Sequence, residues 1–250
     1  MSRKHENAFD IAIIGGFTGA TLAAQLLSRA DRPLSVALID RGPGRARGVA
    51  YSTQDSVHLL NVPAQNMSAS DDDPEHFLRW ARFNFDSGAQ PGDFLPRRLY
   101  GQYLESALAS AELHCDQFVW MRDEAVRITR ATGKSQITLR SGQNIFADRV
   151  VLALGNFPPG DLRLPGNHSR HGFVSNPWAV DALDGIPPDG SVLLVGSGLT
   201  SVDMVLVRAN ANFAERYIFF RAMASCLRDT RRILTGRHSG TSGLREPHVV

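Results

Sequence analysis

The stretch "FDIAIIGGFTGATLAAQLL", Phe9 to Leu27, decides the fold. Ile11 to Ile14 is a short apolar run, a glycine pair interrupts it, and Ala20 to Leu27 is rich in helix formers. This order predicts a buried strand, a tight turn and a helix. In a GxGxxG turn the first glycine makes the bend, the second lets the backbone approach a pyrophosphate, and the third lets the helix pack close to the strand. Here the spacing is one residue short. Taking Gly16 and Gly19 as second and third puts Ile14 at the bend; starting from Gly15 instead puts Phe17 against the phosphates and Ala20 at the packing position. Both placements remain open at this stage. The next strand-like run, Leu34 to Asp40, ends on a carboxylate about 20 residues on, where an acid accepts hydrogen bonds from a ribose. Glycine turns and strand-end acids also occur in αβ proteins that bind nothing there.

Further along, a strand, glycine turn and helix recur in "SVLLVGSGLTSVDMVLVRA". Gly196 and Gly198 have the regular spacing, Leu199 and Thr200 follow, and Ser201 replaces the third glycine with another small residue. Arg221 follows the run "YIFF", a position where arginine accommodates a 2′-phosphate; the plainer reading is a surface residue after a strand. Between the two turns, residues 41–75 form a long Gly-, Pro-, Ser-, Asn- and Asp-rich connection of the kind that serves ligands. Helices are expected over Pro74–Asn84 and Arg97–Glu112. Three β-like runs, Phe118–Ala131, Gln136–Arg140 and Asn144–Leu154, predict a meander that ends in an apolar strand.

Composition narrows the classes. The 250 residues are 43% hydrophobic, enough for a sizeable core, and the net charge of +2 is too mild to imply nucleic acid. No apolar run approaches the roughly 18 residues of a membrane span, and the polar N-terminus lacks a signal-peptide segment, so a cytoplasmic protein is the default expectation. Cys115 and Cys226 stand far apart without a CxxC, which argues against a redox dithiol or a metal knuckle; no metal site is expected. There is no GxSxG to support hydrolysis.

The segment "RGPGRARGVAYSTQDSVHLLNVPAQNMSASDDDPEHFLRW", from Arg41 to Trp80, is more specific. It resembles the FAD/NAD(P)-binding flavoprotein family that includes FAD-dependent urate hydroxylase-like and amino-acid N-hydroxylase-like enzymes, and the likeness extends over roughly Phe9 to Arg221. The resemblance implies an α/β fold: a Rossmann-like FAD-binding domain with an inserted β-meander, residues 8–185, then a partial second Rossmann-like NAD(P)-binding domain, residues 186–225. An atypical tail, 226–250, follows. It also implies that Gly15, Gly16, Thr18 and Gly19 face the FAD pyrophosphate and that Asp40, beside Arg41, holds the adenosine ribose. Gly48, Val49, Ala50 and Tyr51, with His58 to Met67 and among them Asn61, Val62 and Met67, would line the flavin cleft. Leu154, Gly155 and Asn156 would pass close to FAD. Gly196, Gly198, Leu199, Thr200 and Arg221 would serve NADP(H) or NAD(H).

The implied activity is oxidation of a small-molecule substrate by a monooxygenase-like, FAD- and NAD(P)H-dependent enzyme; the alternative is a non-catalytic nucleotide-binding remnant. No residue is assigned as catalytic, and His58, the titratable side chain in the matching loop, reads more readily as structural. Two departures stand out. The family's first turn usually reads GGGFSG where this chain has GGFTG, and the family pattern continues beyond the point where this chain stops, the expectation for a truncated or frameshifted member.

Overall fold

The structure is a computed structural model that describes residues 7–42, 44–113, 117–131, 133–157, 160, 172–179, 182–187, 190–210, 216–220 and 248–249. The chain divides into two compact units, Met1–Phe157 and Pro158–Val250.

The first unit opens with β1 (Ala8–Ile14), α1 (Phe17–Arg29) and β2 (Val36–Ile39). α2 (Gly48–Tyr51), a 3₁₀ turn (Ala64–Asn66), α3 (His76–Asn84) and α4 (Arg97–Glu112) follow, and then β3 (Phe118–Met121), β4 (Ala125–Ala131), β5 (Lys134–Leu139) and β6 (Asn144–Leu152). These strands form one six-stranded sheet in the order β3-β2-β1-β6-β5-β4. β3, β2, β1 and β6 run parallel, whereas β4, β5 and β6 form an antiparallel meander.

One expectation is corrected here. The run Phe118–Ala131 is two strands: β3 extends the parallel sheet beside β2, and the meander begins only at Ala125. The break falls at Asp123 and Glu124, where Asp123 N donates to Met121 O and the Asp123 carboxylate accepts from Glu124 N, closing a turn no continuous strand could make. The long connection 41–75 also contains α2 and the 3₁₀ turn, neither of which its composition announced.

Alternation along β1 supplies both faces of the sheet. Ile13, with Val36 and Leu38 of β2, packs beneath Ala20, Ala23 and Leu27 of α1 and the apolar stripes of α3 and α4. Ala12 and Ile14 face the other way and, together with Phe9 near the start of the strand, cluster with Ile137, Leu139, Ile145 and Ala147 of the meander. Helices therefore cover one face and the sheet's own meander covers the other. On α4 the buried residues Leu99, Tyr100, Tyr103, Leu104, Leu108 and Ala111 recur at three- and four-residue intervals, which is why its bounds follow the sequence pattern.

Tyr103, fully buried, shares a 2.8 Å hydrogen bond with His76 Nδ1, and its hydroxyl accepts from Ala69 N at 3.0 Å. Burial pushes the phenol's pKa up, so it stays neutral at working pH. Tyr103→Phe strands both partners and is expected to cost about 1–2 kcal/mol, read as a lower denaturant midpoint at unchanged slope.

In the second unit β7 (Ser191–Val195), β8 (Arg216–Phe220) and β9 (His248–Val249) form a parallel three-stranded sheet, order β8-β7-β9, and α5 (Leu199–Asn210) lies between β7 and β8 in the chain. Ile186, Val192, Leu194 and Met204 make its core. Arg208 is buried and donates to the carbonyls of Leu183, Ile186 and Pro187, tying that connection to α5. β9 places two residues of the 226–250 stretch in a sheet; the rest of that stretch lies outside the described residues.

Candidate functional site

The first glycine turn settles the open register. Gly19 lies on the inner face of α1, where a Cβ would come 3.0 Å from Ile13 Cγ2 and 3.3 Å from Leu38 Cδ1. It therefore does the work of the packing glycine, which leaves Gly16 as the second glycine of the pattern. Ile14 stays in β1, paired with Leu152 and Ile39. The bend moves one residue on, to Gly15, whose φ of +145° is a conformation other residues avoid. A Cβ on Gly15 would sit 1.9 Å from the Ala153 carbonyl oxygen, so β1 and the end of β6 approach here as only glycine allows. The shorter spacing is thus absorbed within the turn, with the strand and helix intact.

Gly16 caps α1 without a side-chain hydrogen bond, and no acidic residue occupies the first turn, so the positive end of the helix is available to an anion. Above it lies the segment around Gly48: a Cβ on Gly16 would fall 2.7 Å from Gly48 Cα, and one on Gly48, at φ +59°, would fall 3.0 Å from the Phe17 nitrogen. Each glycine is required by the other.

Asp40 extends β2, its N–H donating to Met121 O at 3.0 Å. The residue is only 7% exposed; Oδ1 accepts from Gly42 N at 3.0 Å, while Oδ2 has no partner among the described residues. Burial raises its pKa, offset in part by the Gly42 hydrogen bond and by Arg41. A buried carboxylate oxygen without a donor costs stability, and it is a ready acceptor for a hydroxyl. Arg41 points elsewhere, its guanidinium exposed and 3.7 Å from Glu124 Oε1.

The remaining residues singled out from the sequence scatter more. Val49 and Ala50 are exposed on α2, and Tyr51 packs on Tyr100 with centroids 4.8 Å apart. Asn61 is exposed, Val62 is half-buried against the core, and Met67 is buried within it. His58 is 6% exposed, Nδ1 2.6 Å from Thr53 Oγ1, and its carbonyl accepts from Arg97 N. These contacts give it a place in the loop's own architecture. Leu154, Gly155 and Asn156 follow β6 on the surface, Gly155 at φ +64°. Leu152, Leu154 and Phe157 leave an apolar strip at the carboxyl end of β6, where open α/β sheets take their ligands. In the second unit Gly196 adopts φ +127°, and Gly198, Leu199 and Thr200 open α5, exposed to solvent. Arg221 lies outside the described residues.

Among the described residues no group of three His, Cys, Asp or Glu side chains could hold a metal, and no helix is long and apolar enough to cross a membrane.

A family model described as FAD-NAD(P)-binding matches residues 12–157, more than half of the chain, and the chain belongs to that family. Solved structures with the same fold include the FAD-bound cadaverine monooxygenase of the desferrioxamine biosynthetic pathway from Erwinia amylovora (TM-score 0.61, 19% identity, 86% of this chain and 51% of that one). A cyclohexanone monooxygenase mutant from Rhodococcus sp. Phi1 bound to NADP⁺ gives TM-score 0.59, 20% identity, 86% and 38%. A flavin-containing monooxygenase from Stenotrophomonas maltophilia gives TM-score 0.56, 18% identity, 86% and 59%. The chain thus spans between about two fifths and three fifths of the length of these structures. No curated protein matches it.

Proposed function

We propose that the chain binds FAD in its first unit and NADP(H) or NAD(H) in its second, and serves as the cofactor-binding part of a monooxygenase acting on a small molecule. Within the family, the Arg41–Trp80 pattern is what favours an enzyme like the urate hydroxylase-like and amino-acid N-hydroxylase-like members. The observation that carries the reading is the buried Oδ2 of Asp40, without a partner among the described residues, beside a helix N-terminus left without a side-chain cap.

The residues present fit FAD. Asp40 would accept from the ribose hydroxyls, and the backbone N–H groups from Gly16 to Gly19 would face the pyrophosphate, with the helix end favouring its charge. Gly48 to Tyr51 would bound the other side. Gly196, Gly198, Leu199 and Thr200 would do the same for the nicotinamide dinucleotide. When bound, FAD supplies hydride acceptance and oxygen activation; the protein's share is to orient it and exclude water. The exposed Leu152, Leu154 and Phe157 suit that second task.

Incubation with FAD, removal of free cofactor and a visible absorbance spectrum test the reading. Near-stoichiometric bound flavin is expected, with NADPH oxidation the next assay. A folded but colourless protein would defeat it and favour a non-catalytic form of the fold.

A further inference from the structure

Helix α4 carries Gly101, Glu105 and Glu112 at intervals of four and seven residues, so the three lie close to one line along the helix. All three touch the same short segment of chain. Arg47 donates through Nε and Nη2 to both oxygens of Glu105, at 2.8 Å each, in a bidentate pair whose arginine is only 15% exposed. Arg45 pairs with Glu112 and lies over Phe118 and Trp120, 5.6 and 5.8 Å from their centroids. A Cβ on Gly101 would come 2.6 Å from the Tyr51 carbonyl oxygen and 3.1 Å from Arg47 Cδ. Glycine in mid-helix is disfavoured, and here its lack of a side chain is what lets the segment seat.

Between the two arginines Ala46, fully buried, is held at φ +67°, a conformation that L-residues avoid. Strain of this kind persists where the surroundings over-determine the backbone, and it concentrates at ligand clamps. The far end of the segment presses Gly48 onto Gly16 and Phe17.

We infer that Arg45, Arg47, Gly101, Glu105 and Glu112 are positioning residues: through them α4 holds residues 45–51 at a fixed height over the first glycine turn and thereby sets FAD affinity. The inference rests on the FAD reading for its ligand and on the free protein for its anchoring. Cofactor affinity is governed in part from residues to which no FAD contact is assigned, because a segment held in its binding conformation loses less entropy on binding.

The test compares wild type, Glu105→Gln, Gly101→Ala and Leu139→Ala. Leu139 is a fully buried residue of β5, in a core cluster separate from the one that holds Ala46 and α4. Amide hydrogen exchange of residues 44–51 in the free protein, the FAD dissociation constant by flavin fluorescence and the Tm are measured for each. Glu105→Gln and Gly101→Ala are expected to speed exchange in 44–51 while β1 and β6 stay protected, and to weaken FAD roughly three- to tenfold. Leu139→Ala is expected to lower Tm more than either and to leave local exchange and FAD affinity at wild-type values. The inference is overturned if Glu105→Gln leaves exchange in 44–51 unchanged, or if Leu139→Ala weakens FAD as much. If wild type binds no FAD, the functional reading fails, and the exchange data alone decide whether α4 anchors the segment.

Discussion

Gly15→Ala is expected to cost the first unit about 3–5 kcal/mol, the largest loss from any single added methyl group. Two penalties coincide. The φ of +145° is strained for alanine, and the new Cβ would lie 1.9 Å from the Ala153 carbonyl oxygen. That oxygen cannot swing away as a side chain would, because Ala153 N donates to Ile14 O at 2.8 Å at the end of the β1–β6 ladder. Relief would have to part the two central strands. Against a typical total of about 5–15 kcal/mol the variant is marginal, with Tm lower by roughly 6–20 °C. Gly142→Ala is the control: φ is +90° but nothing lies within 4 Å of a Cβ, leaving backbone strain alone. Equal losses for the two variants in thermal denaturation would show that the contact with Ala153 carries no weight.

Asp40→Asn is expected to act in opposite directions on stability and binding. The folded protein raises the pKa of Asp40, chiefly by desolvation, above its value in the unfolded chain. The folded state therefore binds a proton more readily, and this residue's contribution to stability falls as pH rises from the unfolded value through the folded one. Above that window the full cost of the buried charge is present. Asparagine keeps an oxygen to accept from Gly42 N and removes the charge, so the free variant should match or exceed wild type in stability at pH 7 and lose the advantage at pH 3. FAD affinity should fall about 10–100-fold, since hydrogen bonds to a charged acceptor contribute about 1.5–3 kcal/mol. Denaturation at both pH values and a flavin titration check the two halves. Undiminished FAD affinity in the variant would remove Asp40 from the ribose site.

What could be read from the sequence was whatever depends on periodicity. The β1–turn–α1 unit and the bounds of α4 follow from apolar spacing, and Asp40 stands where a strand-end acid should. The register of the glycine turn did not follow, because it depends on Gly19 meeting Ile13 and Leu38 across the helix–sheet contact, which no spacing rule reports. The split between β3 and β4 was hidden because both are β-branched and aromatic runs, and only pairing partners distinguish an extension of the parallel sheet from a meander. The pairing of Arg47 with Glu105 joins residues from separate elements, and charge counts give no hint of it. Met67 falls in a motif the resemblance assigns to the flavin cleft, and its place in the buried cluster is likewise something no spacing rule reports.

The central place of β1 bears on how the chain folds as it is made. One edge finds β2 almost at once, but the other waits for β6: roughly 140 residues separate Ile11 from its partner Arg149. At synthesis rates of about 5–20 residues per second, Phe9, Ala12 and Ile14 stay uncovered for something like 7–30 s. During that interval β1 is an apolar strand with a free edge, open to pairing with a neighbouring nascent chain. Yield on expression should therefore respond to chaperone supply and to slower growth at low temperature more than the stability of the finished protein would suggest.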